Sequence, residues 1–170
     1  MKHPVSRTKK VAFLGLAAAL ALLCSYVEAL MPPLYAAVPG IKLGLPNIVI
    51  LFLLYATDVR YAALVSLTRV CVAALLFGNV MTLSYSLAGA ALSLTVMWLL
   101  KRTQLLSEVG VSVAGGVSHN LGQVLVAVLL LDTPQIAYYM IVLTLTGTVT
   151  GIFIGLCGGL LLRRLHGHLI

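Results

Sequence analysis

His119, Asn120 and Gln123 place an imidazole and two amides in the middle of an otherwise apolar run, Gly110 to Leu131. Polar groups at that depth in a bilayer are costly unless they face protein or a cavity. Positions 119 and 123, and 120 and 123, are one helical turn apart, so the spacing predicts all three on roughly one face of a helix. Two readings stand for that face: interhelical hydrogen-bond glue, or the polar wall of a ligand site. Gly115, Gly116 and Gly122 permit close approach of a backbone or a ligand and weigh toward the site.

Arg69 is the second group with chemistry to offer. It falls near the middle of an apolar segment, where an unpaired guanidinium is expensive. Glu28 is an acidic partner for it if Arg69 reaches outward, and an anionic ligand entering from outside is the alternative. Lys42 and Asn47 stand at the mouth of the next apolar run, and Tyr85 near the outer end of a later one, either as a ligand contact or as an interfacial anchor.

Other chemistry is absent from the pattern. The four acidic residues, Glu28, Asp58, Glu108 and Asp132, are scattered, whereas a magnesium-dependent prenyl transfer site needs clustered carboxylates. There is no P-loop. His119 has no acidic orienter nearby in sequence, so no catalytic residues are assigned and the reading leans away from an enzyme. Cys24, Cys71 and Cys157 lie within apolar runs and form no CxxC, so neither a metal nor a cofactor is expected.

The elements that must hold these residues are membrane helices. With 170 residues, 61% of them hydrophobic and only 9% charged, the class is an all-α polytopic membrane protein forming a single transmembrane domain. A net charge of +7 would point to nucleic acid in a soluble protein. Here the basic residues sit between hydrophobic runs, as the positive-inside rule requires, and no nucleic-acid partner is expected. The short basic N-terminus precedes a run too long for a signal-peptide core and is read as retained.

The predicted spans are 11–30, 47–57, 61–77, 82–100, 110–131 and 135–162. Pro32 and Pro33 stop the first, and Pro46 suits the first turn of the second. The long run from Asn47 to Phe77 is broken at Asp58-Val59-Arg60. Folding it as a hairpin puts Lys2, Arg7, Lys9, Lys10, Arg60, Lys101, Arg102, Arg163 and Arg164 on the cytoplasmic side, with both termini. A single crossing would put Lys101 and Arg102 outside, against the bias. The second span is short, about 17 Å against a core of about 30 Å, so it must be buried in protein or the loop before it must dip into a cavity. Small residues recur on the first helix at Gly15, Ala17, Ala19 and Ala21, and on the last at Gly147, Gly151, Gly155 and Gly159, as faces for close helix contact.

IKLGLPNI (Ile41 to Ile48), Arg69, SLAGAALS (Ser86 to Ser93) and GVSVAGGVSHNLGQ (Gly110 to Gln123) resemble the small bacterial membrane proteins of the Gx transporter family, also called heptaprenyl diphosphate synthase component I. Those proteins are more distantly similar to the substrate-binding S components of energy-coupling factor (ECF) transporters. The resemblance implies a six-helix substrate-capture subunit in the cell membrane that docks on a coupling protein driven by ATPases. Gly15, Ala17, Ala19 and Ala21 stand where an AxxxA docking face would be, with Gly in place of the first Ala.

On this basis the first expectation is uptake of a small anionic or amphipathic solute, contacted by Arg69, His119, Asn120 and Gln123, with Lys42, Asn47, Glu28 and Tyr85 around them. The alternatives are an accessory membrane subunit of isoprenoid or quinone metabolism that presents a lipid to a soluble enzyme, and a structural partner in a membrane redox complex.

Overall fold

The computed structural model describes residues 7–30, 44–132, 134, 138 and 140–169, with side chains through Leu165. Six helices follow one another: α1 (Arg7–Leu30), α2 (Asn47–Ala56), α3 (Val59–Phe77), α4 (Val80–Thr103), α5 (Glu108–Leu131) and α6 (Met140–Leu169). Five are long and apolar enough to cross a membrane, and α2 is the shorter exception. The fold is a helical membrane bundle.

Local sequence sets where the helices break. Thr57 ends α2 by donating its backbone N–H and its hydroxyl to the Leu53 carbonyl. Asp58 then opens α3 by accepting the Arg60 N–H at 2.9 Å, so a carboxylate cap makes a two-residue link between two apolar helices. Between α3 and α4, Asn79 and Thr82 form a reciprocal capping box, each side chain at 2.8 Å from the other's backbone N–H. Ser107 caps α5, and Gln104 and Asp132 end α4 and α5 in the left-handed conformation. At its start α1 runs beyond the apolar stretch, because Arg7, Lys9 and Lys10 are good helix formers that leave lipid for water. Arg163 and Arg164 extend α6 in the same way.

The bundle is ordered by which helices touch. α1 packs on α3, α3 on α4, α4 on α5 and α5 on α6, while α2 contacts α1, α3 and α6. Ile50, Leu51, Leu53 and Leu54 are all essentially inaccessible, so α2 is buried on every face. Most of the large exposed hydrophobics, among them Leu16, Leu23, Leu75, Leu129 and Phe153, lie on the other helices and face where lipid would be. A helix of 10 residues spans about 15 Å, half the apolar thickness of a bilayer. Burial in protein resolves the mismatch that its length poses.

Two seams are built from glycine. A side chain on Gly151 would begin 2.6 Å from the Val113 Cα, one on Gly155 2.6 Å from the Val109 Cα, and one on Gly147 3.1 Å from the backbone of Gly116. The glycine row of α6 is therefore a contact face against α5, as the spacing predicts, for three of its four members. Gly159 has open space around it. Its neighbour Gly158 takes the contact instead, against Leu51, because the partner at that level is the short central helix α2.

Candidate functional site

Glu28 and Arg69 are the only charged side chains buried among the described residues. They lie on facing stripes. α1 turns Ala17, Ala21, Ser25 and Glu28 inward, and α3 turns Ala62, Val65, Ser66, Arg69, Val70 and Ala73. Cys24 and Glu28 stand one turn apart on α1, Glu28 on the stripe that faces α3. Arg69 is 7% exposed, and its Nε has no hydrogen-bond partner among the described residues.

Glu28 Oε1 accepts the backbone N–H of Gly44, just ahead of α2. Gly44 holds φ +78°, which side-chain-bearing residues rarely adopt. A Cβ there would also sit 3.1 Å from the amide nitrogen of Asn47, which folds back over Gly44. Glu28, Arg69 and Asn47 are thus brought to the contact of α1, α3 and the entry to α2. Gly44 thus belongs to this contact, and the glycine before Leu-Pro in IKLGLPNI was the available signal for it. Lys42 lies outside the described residues.

His119 and Gln123 belong to a different place, the α4–α5 seam. Both lie against Gly89 of α4, where an added Cβ would meet the His119 carbonyl at 2.8 Å, Gln123 Cγ at 2.9 Å and His119 Cε1 at 3.0 Å. Tyr85, half-buried, is one turn from Gly89 toward the start of α4, and Ser93 one turn the other way. Ser93 is 2% exposed and its hydroxyl has no partner among the described residues. Its place at the end of SLAGAALS was the only sequence signal for it.

The expected single face of His119, Asn120 and Gln123 is corrected by the structure. Asn120 turns to α6 and donates its amide to the Leu143 carbonyl at 2.8 Å. Consecutive helical residues point about 100° apart, so 119 and 123 can share a neighbour that 120 does not. The small residues of α1 divide similarly. Ala17 and Ala21 are buried in the core and cannot present themselves to a partner, whereas Gly15 and Ala19 are exposed.

At the opposite end, Lys101 of α4 donates to the Leu54 carbonyl at the C-terminus of α2 and lies 5.1 Å from the Tyr55 ring centroid. Lys10 of α1 meets Tyr61 of α3 in the same style. Among the described residues no group of three or more His, Cys, Asp or Glu is placed to hold a metal ion.

Long apolar helices around one buried helix, with Glu28 and Arg69 in the interior, define a polytopic helical membrane protein. The chain belongs to the heptaprenyl diphosphate synthase component I family, whose family model matches residues 17–161. No curated protein matches the chain. No solved structure matches it either.

Proposed function

We propose that this chain is an accessory membrane subunit of isoprenoid metabolism that holds the polar end of a small amphipathic ligand at Arg69, while a soluble partner carries out the chemistry. The observation that carries this reading is the buried Arg69, whose Nε has no partner among the described residues, in a chain whose carboxylates are dispersed in sequence. A guanidinium of this kind is worth keeping in an apolar interior when an oxyanion is to be bound. The family's name speaks of a component of a synthase, and dispersed carboxylates favour the non-catalytic share of that work. Glu28 and Asn47 border the same region, with Lys42 in the preceding segment. His119, Gln123 and Tyr85 form a second polar strip for the remainder of the ligand. We place the protein in the plasma membrane with both termini cytoplasmic, since Arg7, Lys9, Lys10, Arg60, Lys101, Arg102, Arg163 and Arg164 gather at one end of the helices.

A second reading, the solute-binding subunit of an ECF-like uptake transporter, is favoured by the bare stripe of Gly15 and Ala19 on α1, where nothing lies within 4 Å of the Gly15 position. One purification tests both. The wild-type protein should retain an extractable small molecule, identified by mass spectrometry, that Arg69→Gln loses. Identical extracts from the two would end the ligand-holding role. Ala19→Leu, in the same experiment, should release a membrane coupling subunit only if the transport reading holds.

A further inference from the structure

The sequence of α2, NIVILFLLYA, carries no charge, so nothing in its first or last turn complements the helix dipole. Its N-cap is Pro46, which makes no side-chain cap bond and is wholly inaccessible, so the helix begins inside protein, away from water that would satisfy it. Other helices supply what α2 lacks. At its start, Gly44 O accepts the Asn47 N–H at 2.8 Å and Leu45 O the Ile48 N–H at 3.1 Å, which extends the helical turn back to Gly44. The Gly44 N–H then donates to the Glu28 carboxylate of α1. At its end, the Leu54 carbonyl accepts the Lys101 ammonium of α4. An anion at the start and a cation at the end are the signs that the dipole favours. The starting turn is also wedged in place, since a Cβ on Gly44 would lie 3.1 Å from Asn47 Nδ2 and 3.6 Å from Ile154 Cδ1 of α6.

We infer that Glu28 is a positioning residue: a carboxylate of α1 that caps the start of α2 and so fixes the depth at which Asn47 stands beside the Arg69 region. This rests on the ligand-holding reading above and deepens it, because Glu28 and Arg69 receive different work: Arg69 meets the ligand, and Glu28 holds the element that carries Asn47. The geometry makes the position sensitive. A slip of α2 by one residue moves its start by about 1.5 Å and turns its side chains by about 100°, enough to take Asn47 out of the contact. Apolar packing along α2 resists such a slip weakly, since Ile50, Leu51, Leu53 and Leu54 present similar aliphatic surface on every side. The directional constraints are the two caps, and the one beside the site is Glu28.

The test uses the full chain in phosphatidylcholine nanodiscs and reads two things: hydrogen exchange along α2, and binding of dodecyl phosphate, an oxyanion on an apolar tail, by native mass spectrometry. Glu28→Leu removes the acceptor and should speed exchange of the amides from Gly44 to Ile50 by roughly 10-fold or more, leave those from Leu53 to Thr57 as they are, and weaken Arg69-dependent binding by roughly 10-fold. Glu28→Gln keeps an acceptor oxygen without the charge, so it should fall between wild type and Glu28→Leu in exchange, with binding reduced only as far as exchange rises. Lys101→Met is the control: it frees the other end of α2 and should leave binding unchanged. Gly44→Ala, strained at φ +78°, disturbs the same bond from the α2 side, and it should reproduce Glu28→Leu if that variant does not fold. Wild-type exchange from Gly44 to Ile50 in both Glu28→Leu and Gly44→Ala overturns the cap and leaves the ligand-holding reading standing. So does weakened binding by Glu28→Gln at wild-type exchange, which would put the carboxylate on the ligand itself. Equal loss of binding in Lys101→Met and Glu28→Leu reduces Glu28 to general stability and overturns its positioning role. Absence of Arg69-dependent binding in the wild type overturns the ligand-holding reading and the positioning of Asn47 for it, while exchange still decides whether Glu28 caps α2.

Discussion

The side-chain amide of Asn120 donates to the Leu143 carbonyl across 2.8 Å, tying the middle of α5 to the first turn of α6. An amide facing a neighbouring helix in this way stabilises the bundle and is turned away from Arg69. Leu143 O also accepts the Thr146 hydroxyl at 3.1 Å, so deleting the amide does not orphan it. The cost of Asn120→Ala should then lie near the modest value usual for interhelical bonds in membranes, about 1 kcal/mol, rather than the larger penalty of a stranded acceptor. Unfolding in mixed detergent micelles measures it. A variant that unfolds normally but loses Arg69-dependent ligand would put Asn120 back in the site.

The glycine seam gives a larger effect with an internal control. A side chain at Gly151 would begin 2.6 Å from the Val113 backbone, which cannot move without separating α5 from α6. At Gly159 there is open space. Gly151→Leu should destabilise by about 3 kcal/mol or more, at the upper end of overpacking penalties, and Gly159→Leu should be close to neutral. Equal tolerance at the two positions, measured in the same unfolding titration, would contradict the seam.

These two cases show what sequence carries and what it withholds. Apolar runs, prolines and the polar break near Asp58 make the helical membrane class legible, because desolvating a backbone forces helices whatever their neighbours. Four-residue glycine spacing likewise marks a contact face, but it cannot say that the lowest contact passes from Gly159 to Gly158 when the partner becomes α2. Periodicity alone did not separate Asn120 from His119 and Gln123, since a helix face about 100° wide holds all three and only neighbouring helices divide it. Nor could it assign Gly15 and Ala19 to the outside and Ala17 and Ala21 to the core, because small residues suit both. Arg69 and Glu28 were legible as charges that need burial partners from cost alone, and both are buried. Gly44 was not, since its role depends on a backbone N–H that meets Glu28 only after α1 and α2 have packed.

Burial of α2 leads to the last prediction. A short helix enclosed on every side still ends in carbonyls that need donors, and the end of α2 nearest the basic residues finds one in Lys101 of α4, which reaches Leu54 O and lies over Tyr55. A cation at a helix C-terminus gains from the bond and from the dipole together. Arg102, the next residue, stacks on Trp98 of its own helix at 4.1 Å. Lys101→Met keeps the apolar stem and removes the ammonium, so its loss should reflect the bond. With Lys101 only half-buried, solvent replaces part of it and the cost should be about 1 kcal/mol. Arg102→Met should cost less, because an exposed cation–π contact is worth about 0.5–1 kcal/mol and its apolar stem still covers the ring. Hydrogen exchange gives the sharper reading: Lys101→Met should speed exchange of the amides at the end of α2 from Leu53 to Thr57, and Arg102→Met should leave them as they are. If both variants exchange alike there, α2 is held by its apolar packing alone and Lys101 does not anchor it.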